Sequence, residues 1–191
     1  MKKKKSSVIL FLALAALIPA RLLADEATFN RSVPLTANTI LRLDCQVARV
    51  SLFGSQGQDL VISSSGLPEP VITLSESLVT VTVPEPEIKR RGPELRISLP
   101  RQVSSEVTID VGDLDIDGLA GRLEAKVGVG DVSLSGISGQ ASVQTGTGNI
   151  RSTWAVGQEL PNQCKLSTGI GDIRVGLPPD AEIRITAETG L

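Results

Sequence analysis

The sequence predicts an all-β protein, a β-solenoid built from 18-residue coils. Two observations predict it. Gly-Asp or Gly-Asn recurs at Gly112-Asp113, Gly130-Asp131, Gly148-Asn149 and Gly171-Asp172, at spacings of 18, 18 and 23 residues. Around each of these glycines apolar and polar residues alternate, the period-two pattern of strands with one buried face.

Aligned on the glycine, the blocks share more than the turn. Leu114, Val132, Ile150 and Ile173 stand two positions after it, and Ile116, Leu134, Ser152 and Val175 four after. Seven positions before it stand Ser105, Leu123, Ala141 and Cys164; five before, Val107, Ala125, Val143 and Leu166; three before, Ile109, Val127, Thr145 and Thr168. Each block therefore holds two short strands, as in "RLEAKVG" and "GDVSLSG", joined by corners such as "GLAG" and "GISG". One such block cannot cover its own apolar side. Stacked blocks can, because equivalent residues then form ladders about 4.8 Å apart. An antiparallel sandwich would also give short strands, but not a fixed 18-residue register.

Upstream the register weakens. In "ILRLDCQVARVSLFG", Val50 and Leu52 align with the post-glycine pair and Ala48 takes the place of the glycine. "LVIS", "PVITL", "LVTVTV" and "LRISLP" read as further strands, and Thr82 to Pro93 as an irregular connection. Residues 37–94 are expected to be imperfect coils of the same sheet system, with regular coils over 95–191.

The first residues belong to another category. Four lysines precede the apolar run Val8–Ile18, and small residues lead to Ala24. That is the form of a secretory signal peptide, and the run is too short to span a bilayer. A retained membrane anchor is the competing reading. Cleavage is expected after Ala24, leaving residues 25–191 as a single domain in the periplasm or outside the cell. Residues 1–24 hold five basic residues and no acid, so the remainder carries 14 Lys/Arg against 21 Asp/Glu. Its net charge of −7 disfavours nucleic acid and anionic lipid as partners. The dense basic cluster Lys89-Arg90-Arg91 reads as a solvated loop.

Composition also narrows the chemistry. Histidine and tyrosine are absent, and there are one tryptophan and three phenylalanines. Histidine-based acid–base, triad and metal chemistries are thereby excluded, and aromatic platforms for sugar stacking are scarce. The expectation is no enzyme, no cofactor and no bound metal.

The segments "LRISLP", "VTIDVGDLDIDGLAGRLEAKVGVGDVSLSGISGQASVQTGTGNIRS" and "KLSTGIGDIRVGLPPDAEIRITAETG" resemble the bacterial putative adhesin family of unknown function. The resemblance covers roughly residues 37–190 and is most specific from Leu95 onward. It is similar in turn to the head domains of auto-transporter adhesins. It implies an exported domain shaped like a right-handed parallel β-helix, and it carries over no catalytic residue. Two features depart from the pattern: five extra residues in the third block, which set Trp154–Gln163 outside the coil, and the stop at "AETGL", where a further Gly-Asp turn is expected.

Four residues are weak or competing site candidates. Asp113 and Asp131, with Asp172 and the interrupting Asn149, could line a calcium ladder, but the spacing is twice that of calcium-loaded β-rolls. The favoured reading is a corner in which Gly128 and Gly130 bend the chain and Asp or Asn bonds its own backbone. Asp115 shares a strand face with Asp113 and Asp117, with Ser133 and Arg151 on the next coils. That face is either an acidic cluster of a polysaccharide-active enzyme or a soluble surface that discourages sheet association; the second is favoured. Trp154 is either a partner contact or a lid on the core, with the lid slightly preferred. Cys45 and Cys164 lie on core-facing columns some four coils apart, about 19 Å, too far for a disulfide. Two buried free thiols are expected.

The functional expectation is an exported, non-catalytic, adhesin-like protein that binds another protein or a cell-envelope component and can self-associate end to end. The alternatives are an envelope-stress signalling accessory that binds a membrane sensor through the Trp154 loop, and a polysaccharide-active enzyme.

Overall fold

The computed structural model describes residues 29–35, 39–84 and 93–182. The signal-peptide segment, the Lys89-Arg90-Arg91 cluster and the terminal "AETGL" lie outside the described residues.

Alternation is converted into strands along the whole described chain. In order these are β1 (Phe29–Pro34), β2 (Ile40–Val47), β3 (Arg49–Ser55), β4 (Asp59–Ser65), β5 (Val71–Leu74), β6 (Leu78–Val83) and β7 (Glu94–Pro100). The repeat region follows with β8 (Ser104–Val111), β9 (Leu114–Asp117), β10 (Leu123–Val129), β11 (Val132–Ser135), β12 (Ala141–Thr147), β13 (Ile150–Thr153), β14 (Cys164–Ile170) and β15 (Ile173–Gly176). The described residues contain no helix.

Two sheets result. One runs β1-β4-β7-β3-β9-β11-β13-β15, the other β14-β12-β10-β8-β2-β6-β5. Within the repeat every pairing is parallel, and the partners are the residues of the sequence columns. Leu114 pairs with Val132, Val132 with Ile150, and Ile150 with Ile173. In the other sheet Ser105 pairs with Leu123, Leu123 with Ala141, and Ala141 with Cys164. The apolar members of these columns face each other between the sheets and form one aliphatic core.

The N-terminal strands extend the same sheets in a different order from the chain. β2 lies beside β8 and β3 beside β9, with Leu43 opposite Val107 and Val50 opposite Leu114. β6 and β7 then stack on the far side of β2 and β3, so β2 and β3 lie between them and the repeat. The regular register accordingly begins at Ser104 and not at residue 95, because β7 pairs with β3 and β4. The sheets are also mixed rather than wholly parallel. β4 runs antiparallel to both β7 and β1, and β5 antiparallel to β6.

Those antiparallel strands close one end of the core. Leu60 and Ile62 on β4 are fully buried, as is Val33 on β1 nearly so. At the other end the columns run out: Val132 and Ile150 are 1% and 0% exposed, whereas Ile173 is 41% exposed. The expectation of two buried thiols fails for the same reason. Both cysteines are free, but only Cys45 is buried; Cys164 is exposed because β14 is an edge strand.

Candidate functional site

The recurring glycine corner is held by interactions between successive repeat blocks. Gly112, Gly130, Gly148 and Gly171 have φ of 146°, 153°, 146° and 143°, a region that L side chains avoid. A Cβ at each would also overlap the carbonyl oxygen of the preceding coil: Ala48, Gly112, Gly130 and Gly148 respectively. Gly128 lies near the end of β10, where the inward–outward alternation breaks, and a Cβ there would run into the carbonyl of Asp110, so it permits close approach of the neighbouring strand.

The side chain after each glycine bonds the backbone of the next repeat block, not its own. The Asp131 N–H donates to Asp113 Oδ1 at 3.2 Å, the Asn149 N–H to Asp131 Oδ1 at 2.7 Å, and the Asp172 N–H to Asn149 Oδ1 at 3.0 Å. Arg49 Nη2 donates to the remaining oxygen of Asp113 at 2.8 Å. That hydrogen bond, aided by the Asp131 N–H and opposed by partial burial, holds the Asp113 carboxyl below the usual carboxylate range. Asp113 thus gives one oxygen to the ladder and the other to Arg49, and Asp131 gives Oδ1 to the ladder. Among the described residues no three His, Cys, Asp or Glu side chains are grouped to hold a metal ion.

Asp115 sits where its sequence position places it, opposite Ser51 and Ser133, with Arg151 one strand further. Asp117 accepts a hydrogen bond from Ser135 Oγ. The row belongs to the outer face of a sheet, not to a cleft.

Trp154 is 7% exposed. Its indole Nε1–H donates to the Ile137 carbonyl at 2.7 Å, and its backbone N–H to the Gly176 carbonyl at 3.0 Å. Trp154 is thus buried, with its ring tied to the preceding corner. The exposed part of the insertion lies beyond it, from Ala155, where Gln158 Oε1 accepts the Ala155 N–H at 2.7 Å.

That insertion walls a groove which the sequence reading missed. Two neighbouring cavities, each of about 310 Å³, share Arg101, Ser138 and Glu159. Gln56 and Gln102 line one of them, and Gln158 the other. The groove crosses successive corners of the stack. Arg101 follows β7, Ser138 lies between β11 and β12, and Glu159 lies in the insertion. Arg101 is half-buried, and its Nε–H donates to the Gly118 carbonyl at 3.0 Å. This fixes the plane of the guanidinium and leaves its other N–H groups for the groove. Arginine at a strand end and glutamate in a loop carry no sequence signal of a shared site.

Comparison with solved structures agrees with the fold. The chain is similar to a putative cell adhesion protein from Clostridium sporogenes, with a TM-score of 0.54 and 14% identity over 78% of this chain and 99% of that one. Looser likenesses are to putative adhesins from Bacteroides fragilis (TM-score 0.32, 15% identity, 78% of this chain and 96% of that one) and Parabacteroides merdae (0.26, 10%, 79% and 96%). The first of these establishes a shared fold. No family model matches the chain, and no curated protein does.

Proposed function

We propose that this is an exported, non-catalytic, adhesin-like protein that binds a cell-envelope component through its surface. In this reading residues 1–24 are a signal peptide, and residues 25–191 form one domain in the periplasm or outside the cell. The two ladders in common register are then successive coils of one β-solenoid.

The observation that carries the reading is the corner groove. A guanidinium fixed by Gly118 stands with Ser138, Glu159 and three glutamines where successive corners meet. Such a lining offers both donors and acceptors, suited to a polar ligand held by hydrogen bonds. The open placement of Asp115, and a sequence without histidine or tyrosine, favour binding over turnover.

The test is a crosslinking pull-down from intact envelopes. Arg101→Ala is expected to lose the captured component while still folding, at a cost in stability of about 1–3 kcal/mol because the Gly118 carbonyl loses its donor. Unchanged capture by this variant would remove the groove from the function. Glycan turnover that Asp115→Ala abolishes would replace binding with catalysis.

A further inference from the structure

The corner groove presents hydrogen-bond donors that are already oriented, and these select a ligand. Arg101 is anchored along its whole length. Its backbone N–H donates to the Ser55 carbonyl at 3.1 Å, and its carbonyl accepts the N–H groups of Ala120 and Gly121 at 2.7 and 2.9 Å. The Gly118 carbonyl holds its Nε–H. Among the described residues the ion pairs do not include Arg101, so the terminal N–H groups of this half-buried fork have no anion opposite them. Gln158 is oriented in the same way: its Oε1 accepts the Ala155 N–H, which leaves the Nε2–H donors for a ligand.

Oriented donors of this kind suit a carboxylate, which a guanidinium fork binds through two parallel hydrogen bonds. Glu159 lines both cavities and is likewise outside those ion pairs. One guanidinium and one carboxylate in the same groove accept a ligand with a single negative charge and disfavour a second.

The rest of the lining decides what carries the carboxylate. A peptide held as an added strand needs free backbone N–H groups. Those of Arg101, Ala120, Gly121 and Ser138 are all engaged within the stack, the last by the Leu119 carbonyl at 2.9 Å. Pro100 and Ala120 supply the only apolar side chains of the two cavities, too little to seat those of a peptide. Gln56, Gln102 and Ser138 can each donate and accept, as sugar hydroxyls require.

We infer that the groove binds an acidic sugar, a hexuronic acid unit with its carboxylate on the Arg101 fork and its hydroxyls on the glutamines and Ser138. This rests on the groove being the binding surface, and it narrows the envelope component to a glycan that carries such units.

Amide NMR titrations of the full mature chain with D-glucuronate, glucose, triglycine and inorganic phosphate test the assignment. Glucuronate should shift the Ser138 backbone amide, the Gln158 side-chain amide and the Arg101 Nε–H. Glucose has a hydroxymethyl group in place of the carboxylate and should bind at least about tenfold more weakly. Triglycine, a carboxylate without the hydroxyls, should also fall below glucuronate, as should phosphate. Arg101→Lys keeps the charge but not the fork, and should lose most of the glucuronate affinity while its amide spectrum stays that of a folded chain. No response to glucuronate overturns the inference, as do equal affinity for glucose and undiminished binding by Arg101→Lys. Triglycine or phosphate binding as tightly as glucuronate would overturn it in favour of a peptide terminus or a phosphate group. Envelope capture separates this inference from the reading beneath it. If Arg101→Ala loses capture while glucuronate leaves the wild type unshifted, the sugar is wrong and the groove stands; if capture survives Arg101→Ala, the groove itself is wrong.

Discussion

Oδ1 of Asp131 receives both the backbone N–H and the side-chain Nδ2–H of Asn149, at 2.7 and 3.2 Å, so one carboxylate oxygen ties two coils together at the corner. Hydrogen bonds to a charged acceptor are stronger than neutral ones, but this one is exposed and screened. Asp131→Ala should lower unfolding free energy by about 1 kcal/mol. Asp131→Asn, which keeps the acceptor, should cost clearly less. Urea denaturation of the two variants decides this, and equal losses would mean that the ladder bonds contribute nothing.

The neighbouring Asp113 adds a pH dependence. Its carboxyl is held low in the folded state, first by Arg49. A depressed carboxylate stabilises the fold above its unfolded pKa, and this contribution disappears as pH falls through the folded value. Wild type should therefore exceed Asp113→Asn in stability at neutral pH, and the gap should close in acid. Salt should shrink it too, because Arg49 and Asp113 are well exposed.

Gly130 is constrained twice, by a φ of 153° and by the Gly112 carbonyl. Gly130→Ala should cost about 3 kcal/mol or more. Gly57 faces only Ser55 Oγ at 3.6 Å, so Gly57→Ala should fall within about 0.5 kcal/mol of wild type. Thermal melts of the pair separate the requirement for glycine at the corner from a general sensitivity to alanine.

Trp154 should behave as a core residue. Trp154→Ala is expected to lose about 3–5 kcal/mol. Trp154→Phe keeps a ring but leaves the Ile137 carbonyl without its indole donor, at a cost of about 1–3 kcal/mol. A Trp154→Ala protein with unchanged melting but lost partner capture would restore the contact reading.

The two thiols should differ sharply in reactivity. Partial burial raises both thiols, Cys45 up to about 11, but Cys164 is open to a reagent and Cys45 is not. In dilute native protein at mildly alkaline pH, an alkylating reagent should modify Cys164 first and reach Cys45 only on unfolding. Comparable rates would mean that β2 opens readily.

The sequence alone determined what repeats. The 18-residue spacing, the half-coil strands and the core columns from Ser105 to Val175 follow from alternation that is local in the chain, and parallel ladders pair residues at a constant offset. The register of Val50 and Leu52 with Leu114 and Ile116 was legible for the same reason. What depends on contacts between distant segments was not. Only the tertiary structure placed β6 and β7 on the far side of β2 and β3, and turned β1, β4 and β5 antiparallel. It also turned the Asp and Asn side chains toward the next coil. Arg101 and Glu159 share a groove because stacking brings separate corners together, with no pattern linking them along the chain. Cys164 and Ile173 occupy the same columns as buried residues, yet they are exposed, on the edge strands β14 and β15. A column position fixes which way a side chain points; whether it is buried depends on having a coil on either side.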